Sequence, residues 1–527
     1  MAKGYLCLVL HAHLPFVRHP EHEDFLEEHW LFEALTESYV PLIDIFHGLA
    51  RDGVRWKLTM SLTPTLCAML GDELLGQRFL RYLGRSIELA EKELTRTAAL
   101  AEFAETAQMY HARLLRVREL FEHRYGGRIL NAFKEFAESG NLELITCSAT
   151  HGFLPVLRQQ EKAVRAQILV GVQSFKNTFG WAPKGIWNAE CGFFPGVDAY
   201  LKEAGISYFF VDSHGLLFAN KRPRYGVFAP IQTPLGVSAF ARDVESSRSV
   251  WSAAEGYPGD PRYREYYRDI GFDLDLDYIR PYIHESGIRT ATGIKYYRIS
   301  GTRDLHDKQP YRRAEALQAA DEHAADFLFN RQHQSLHLAS LMDRPPIIVA
   351  PYDAELFGHW WYEGPEFLDR LIRRTAEQDD IELITPSGYL ERYPRNQVAM
   401  PSLSSWGNNG YSEVWIDQSN DWIYRHLHKA AERMQQLVAR FPDPTPVQQR
   451  ALNQALRELL LAQSSDWAFI MKMKTMVNYA ERRTREHLHR FNTIYDQLMA
   501  GVIDEVVLED YEYKDNIFPK IDVSVFA

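Results

Sequence analysis

Cysteine is scarce in this chain. There are four in 527 residues, Cys7, Cys67, Cys147 and Cys191, and no two stand close enough in sequence to make a metal-type pair. Three of them follow or end apolar strand-like runs, which reads as buried, reduced thiols in a cytoplasmic protein. No apolar run is long enough to span a bilayer, and no leader precedes the first strand-like run at Tyr5, so a soluble, intracellular protein is expected. Basic blocks are also missing. The net charge is −11, which argues against nucleic acid or an anionic membrane as partner. The glycine fingerprints of dinucleotide and P-loop sites are absent, and with them support for nucleotide chemistry. So are the G-x-S-x-G nucleophile elbow and the helical H-E-x-x-H metal motif. No repeat of 20–50 residues and no low-complexity segment occurs.

What is present is ordinary in bulk, 46% hydrophobic and 24% charged, and long enough for about two to four domains, fewer if one is a large barrel. Aromatic residues make up 13%, including 11 Trp and 27 Tyr. Most must be core, but a surplus near polar loops would suit stacking on the apolar faces of sugar rings.

The most informative stretch runs from Ile347 to Trp361. Ile347–Ala350 is short, apolar and β-branched, as a strand buried on both faces reads. Pro351 cannot donate to a ladder. Asp353, Glu355, His359, Trp360 and Trp361 follow within ten residues of the strand. In parallel α/β folds, chemistry sits where the chain leaves the C-terminal ends of strands. Other strands end in the same way. Tyr5–Leu10 breaks into His11-Ala12-His13, which extended geometry would place on one side. Trp56–Leu62 ends at Thr63-Pro64, and Leu142–Cys147 leads to His151. Ile186-Trp187 leads to Glu190, Ile206–Val211 to Asp212, and Val237–Phe240 to Arg242-Asp243. This strand–polar end–helix rhythm repeats about seven times, the last being Ile381–Thr385, and it predicts an α/β barrel. The barrel is expected to span 1–395, with a helical insertion at about 70–138. Residues 245–273 carry Trp251 and Tyr257 in a long Gly/Pro-punctuated loop of the kind used as functional lids. Residues 396–527 read mainly as an α-helical domain contributing to the cleft. Within it, Thr445-Pro446-Val447-Gln448 is a capping box, and the run after Val502, including Val506-Val507-Leu508, reads as strand-like.

Two carboxylates stand out by position, Glu190 and Asp353. Both follow apolar strands and have small and aromatic neighbours. Retaining glycoside cleavage uses one ionised carboxylate as nucleophile and one protonated carboxyl as acid/base. Apolar surroundings raise the pKa of the second. A metal reading competes at this point, with His11, His13, His151, Asp353 and His359 around one ion.

Several segments together resemble glycoside hydrolase family 57, and within it the branching type. They are His11-Ala12-His13, Gly140–Thr146, Trp187–Gly192, Thr292–Arg298, Ala350–Trp361, and Trp406 and Trp415 with Ser464–Trp467. The resemblance covers essentially the whole chain. It implies an incomplete (β/α)7 barrel with a helical insertion and a C-terminal α-helical domain, acting on an α-1,4-glucan without cofactor or metal. By motif match, Glu190 falls at the nucleophile and Asp353 at the acid/base. His11, His13 and His151 are then sugar ligands, and Trp30, Trp360, Trp406 and Trp415 stacking walls. His359 and Asp466 join the substrate-binding set. Trp251 and Tyr257 belong to a lid over the covalent intermediate. The implied reaction is cleavage of an α-1,4 bond and transfer of the chain to a 6-hydroxyl, by a monomer or small homo-oligomer. An α-amylase or 4-α-glucanotransferase on the same barrel is the alternative, and a non-catalytic glucan-binding protein a third.

Overall fold

The computed structural model describes residues 2–252, 255–284 and 286–527. Ten strands are present among them: β1 (Gly4–Ala12), β2 (Leu58–Leu62), β3 (Leu142–Cys147), β4 (Gly185–Trp187), β5 (Tyr208–Val211), β6 (Ile231–Gln232), β7 (Ser238–Ala241), β8 (Ile347–Asp353), β9 (Ile381–Leu383) and β10 (Gln397–Val398). Seven of them form a continuous parallel path, β7-β5-β4-β3-β2-β1-β8. All nine residues of β1 are buried, as its unbroken apolar run requires for a strand covered on both faces. It pairs with β8 from Tyr5↔Ile347 to His11↔Asp353. Among the described residues the two ends of the path, β7 and β8, do not pair as strands. A single backbone bond, Asp243 N to Val349 O at 2.9 Å, bridges them. The sheet is therefore a barrel left incomplete at one seam, the architecture expected from the sequence.

Two expectations are corrected. The Ile381–Thr385 unit does not extend the path. β9 lies beside β1 at Gly4–Leu6. Since β8 occupies one edge of β1, β9 and β2 share the other, which nine residues are long enough to allow. The strand-like run at Val506–Leu508 is part of a helix, Glu505–Lys514. Asp504 caps it by accepting from the N–H groups of Val506 and Val507, and only Leu508 of the run is buried, so β-branched composition loses to a strong N-cap.

The helical insertion consists mainly of Glu73–Thr97, Ala104–Arg118 and Leu130–Glu138. Between β7 and the long helix Arg313–Ala339 the chain makes an excursion, residues 242–312, with short helices and isolated bridges. Side-chain bonds hold it where periodicity cannot. Asp269 accepts from the backbone of Gly271, Thr292 and Gly293 and from the Thr292 hydroxyl, all within 2.9 Å.

The C-terminal domain packs helices Trp422–Arg440, Pro446–Ala462, Ser465–Met473 and Val477–Ala500. The capping box at Thr445 and Gln448 forms as its spacing predicts. Inside this domain, buried Glu458 meets His487 Nδ1 at 2.7 Å, and buried Asp515 pairs with Arg483 and Arg490.

Candidate active site

The strand ends converge as parallel topology demands. His11, Ser61, Glu190, Arg242 and Asp353 come from the C-terminal ends of β1, β2, β4, β7 and β8 or the residues just after them, and His151 follows β3. All but Ser61, which lies behind His11, line one cleft of ≈ 980 Å³.

Glu190 sits on a short turn, Ala189–Cys191, with φ 62° and ψ 25°; Cys191 has φ 52°. Two consecutive left-handed non-glycine residues are unfavourable, and such strain collects where a side chain must be aimed. The turn is fixed from outside. Trp406 N donates to Glu190 O at 2.9 Å, while its indole Nε1 donates to Glu190 Oε2 at 2.8 Å. Ser465, from the C-terminal domain, donates to Oε1 at 3.1 Å. Burial pushes the carboxyl up to about 7; the two donors and His13 oppose this, and Asp466 adds to it.

Asp353 is different. Among the described residues no side chain donates to its carboxylate. Burial raises it well above the usual carboxylate range, with Glu355 and Glu190 adding and Arg242 opposing. Of the two carboxyls, the one without donors holds its proton more tightly. Glu355 also lines the cleft, but its carboxylate is taken up by accepting from His13 N at 3.0 Å and from the Tyr39 hydroxyl.

The histidines form one layer. His11 and His151 are 3.0 Å apart at Nε2, and the His13 and His151 rings stack at 3.7 Å. Their other nitrogens are fixed: His11 Nδ1 on Ser61, His13 Nδ1 on Thr63, His151 Nδ1 on Ser465. His13 Nε2 lies 3.0 Å from both Asp466 oxygens. Burial lowers His13, but Asp466 outweighs it and the net direction is up. Asp466, although burial raises it, is drawn down to about 2 by His13. His11 and His151 are pushed well down by burial and by neighbouring histidines. The layer thus holds one ion pair and two neutral rings.

The expected residues divide into two groups. His11, His13, His151, Glu190, Asp353, Trp251, Trp360, Trp406, Trp415 and Asp466 line the cleft. Trp360 is 55% exposed and stacked on Tyr266 at 4.7 Å. Trp415 is only 1% exposed, covered by Phe153 at 4.3 Å, so it offers the cleft little of its face. Trp30, Tyr257 and His359 stand outside the cleft wall. Trp30 packs edge-on to Tyr479. Tyr257 bonds Asp326 at 2.7 Å and stacks on His323, although its neighbours Pro258 and Gly259 line the cleft. His359 is held by Glu37 at 2.6 Å and by the Tyr266 hydroxyl at 3.1 Å. It does not join the other histidines, because Gly358 (φ 111°) turns the chain against the Glu37 carbonyl, an approach a Cβ would block.

Sequence reasoning missed Arg242, Tyr266 and Tyr267 as cleft residues, and Phe469 and Met473, which follow Asp466 at helical spacing on the same wall. That i, i+3, i+7 spacing was the available signal. His13, His151 and Asp466 also offer three ligand atoms within 4.8 Å of one another, the arrangement in this cleft that could hold a metal ion. Its Asp466 and His13 already bond each other.

A family model described as glycosyl hydrolase family 57 matches residues 7–404, and one described as 1,4-alpha-glucan branching enzyme, C-terminal, matches 426–526. A 1,4-alpha-glucan branching enzyme of Thermococcus kodakarensis is 32% identical over 100% of this chain and 79% of its own length. Among solved structures, an alpha-amylase of Thermotoga maritima is 48% identical, with 99% of each chain covered and a TM-score of 0.94. A branching enzyme of Pyrococcus horikoshii is 34% identical, with 99% and 97% covered and a TM-score of 0.89. On a match that spans three-quarters of its length, the chain belongs to glycosyl hydrolase family 57.

Proposed function

We propose that the chain is a 1,4-α-glucan branching enzyme working by retaining double displacement. The observation that carries the reading is the pair of half-buried carboxyls lining one cleft with opposite hydrogen-bonding. Glu190, braced by two donors, is suited to stay ionised and attack the anomeric carbon. Asp353, without donors, is suited to hold the proton that the leaving 4-oxygen takes. In the second half, an acceptor 6-hydroxyl gives its proton to Asp353 and its oxygen to C1, and Glu190 leaves as carboxylate. His11, His13 and His151 bind the sugar at the cleaved position, and Trp251, Trp360 and Trp406 are walls for its neighbours. Transfer rather than hydrolysis needs water kept from the ester. The excursion 242–312 supports this, since Pro258, Tyr266, Tyr267 and Leu305 from it wall the cleft. The C-terminal family match and the relatives named branching enzymes favour transfer to a 6-hydroxyl. The protein is expected to act in the cytoplasm; among the described residues no helix is long and apolar enough to cross a membrane.

The second reading, an α-amylase, is favoured by the name of the Thermotoga maritima relative. Proton NMR of amylose incubated with the protein, beside a reducing-end assay, separates the two. New α-1,6 anomeric signal with few new reducing ends supports branching. Many reducing ends without that signal support hydrolysis. Neither change would sink both.

A further inference from the structure

The seam of the incomplete barrel carries a residue whose role lies beyond the carboxylate pair. Arg242 is the first residue past β7, and Asp353 closes β8, the strand across the seam. Both side chains line the same cleft. The backbone at the seam is tied by Asp243 N to Val349 O, and Asp243 is itself clamped by Arg331 at 3.0 Å, so Arg242 springs from a fixed point. Its guanidinium is ion-paired with buried Asp212, Oδ2 to Nη2 at 2.5 Å, while among the described residues its buried Nε–H has no partner. Asp212 is steadied in turn by His214 at 3.2 Å and Ser213 at 2.9 Å, and His214 Nε2 reaches the Gly410 carbonyl on the loop that carries Trp406.

The groups around Asp353 and Arg242 are His11 on β1, the register partner of Asp353, Glu190 and Cys191 beyond β4, Asp212 and His214 beyond β5, Tyr39 in the helical run His29–Arg51, and Glu355 on the strand's own exit. Arg242 is the one cation acting on Asp353 among them. The geometry points to Arg242 as a positioning residue for the acid/base, an arginine metered by Asp212 that keeps Asp353 able to give up and regain its proton in both halves of the reaction. The inference rests on the proposed roles of Glu190 and Asp353.

Its logic lies in the second half-reaction. Once Glu190 is esterified its charge is gone, but burial and Glu355 still favour protonated Asp353. A protonated Asp353 cannot accept the proton of the incoming hydroxyl. A fixed positive charge restores that capacity without touching the substrate's reacting atoms. Asp212 limits the same charge, so that Asp353 is not ionised before the first half begins.

The test is the pH profile of kcat/KM on amylose for three variants, with the covalent glycosyl-enzyme followed by mass spectrometry of quenched protein. In Arg242→Gln the basic limb should move up by about one pH unit, and the glycosyl-enzyme should accumulate. Arg242→Lys, which keeps the charge, should leave the limb near wild type. Asp212→Asn frees the guanidinium and should move the limb down. Opposite shifts from the two partners of one ion pair are not produced by a structural defect, which would lower rates without moving limbs. An unmoved limb in Arg242→Gln, an equal shift in Arg242→Lys, or a limb unmoved or raised in Asp212→Asn overturns the inference. A wild-type protein that forms no glycosyl-enzyme would instead overturn the reading beneath it.

Discussion

The bond from the Trp406 indole to Glu190 Oε2, 2.8 Å long, should set where the acid limb of the pH profile falls. Replacing Trp406 with phenylalanine removes the donor and keeps an aromatic ring. The backbone bond from residue 406 to the Glu190 carbonyl does not depend on the side chain, so the turn should persist. A hydrogen bond to a charged group contributes about 1.5–3 kcal/mol, and one pKa unit corresponds to about 1.4 kcal/mol, giving a rise of roughly one to two units. Ser465 still donates to Oε1, which favours the lower end. The sign follows from which form is stabilised: the donor favours the carboxylate, so its loss raises the pKa, and the acid limb moves from about 7 toward higher pH. The assay is the initial loss of amylose–iodine absorbance at low substrate, across pH values spanning both limbs. A phenyl ring would also stack less well than an indole, lowering the whole profile. Height is therefore not the readout; limb position is. Because the two carboxyls interact, the limb belongs to the pair, and Glu190→Ala, inactive at every pH, confirms that it reports the enzyme's own turnover. An acid limb coincident with wild type would refute the reasoning.

Other outcomes follow from the same geometry. Glu190→Ala should lose at least about 10³-fold in turnover with its circular dichroism unchanged; undiminished activity would remove Glu190 from the nucleophile role. Glu190→Gln should be more heat-stable than wild type at alkaline pH. A folded pKa of about 7 against 4.5 means stability present below pH 4.5 is lost as pH rises to 7, about 3 kcal/mol in all, and the melting curves of the two proteins should converge in acid. Asp515→Asn should destabilise by about 3 kcal/mol, since it takes from buried Arg490 its carboxylate and leaves buried Arg483 only Glu486 at 3.6 Å, and a denaturant midpoint close to wild type would show that knot to be idle.

The barrel was legible because parallel strands buried on both faces read as apolar runs, and because β1, β3, β4 and β8 each stop at a polar or charged residue. Glu190 and Asp353 were singled out by that position, and both line the cleft. The strand order was not legible: that β9 lies beside β1, and that β7 and β8 fail to pair, depends on how a nine-residue strand shares its edge. Of the excursion 242–312, only 245–273 was legible, as a lid-like loop. Asp269 gathering four donors leaves no periodic trace, so Tyr266 and Tyr267 went unseen. His359 misled because it stands between Asp353 and the cleft residues Trp360 and Trp361 in sequence, while the turn at Gly358 sends it to Glu37. The helix at Glu505 was misread because β-branched residues were weighed above the Asp504 cap.

The C-terminal domain completes the site as well as covering it. Ser465 N donates to the His151 carbonyl at 3.0 Å, Ser465 Oγ to Glu190, and the Thr150 hydroxyl to the Leu460 carbonyl. Asp466 carries the electrostatic part of that contact, and Asp466→Asn isolates it. The wild-type pair has two effects on Glu190: Asp466 raises its carboxyl and charged His13 lowers it. Asparagine removes the first directly and weakens the second indirectly, because His13 loses its leading carboxylate and keeps only Glu355 and Glu190 against the effect of burial. The two changes oppose, so the acid limb should stay near its wild-type position. The rate should still fall, by about 10–10² fold, as His13 loses the anchor that orients it in the cleft. A large shift of the acid limb would mean that one term dominates, and that the ion pair tunes the nucleophile. An unshifted limb with a lowered rate, beside the shifted limb of Trp406→Phe, would separate the two supports of Glu190: the indole sets its charge, and the C-terminal domain sets the geometry around it.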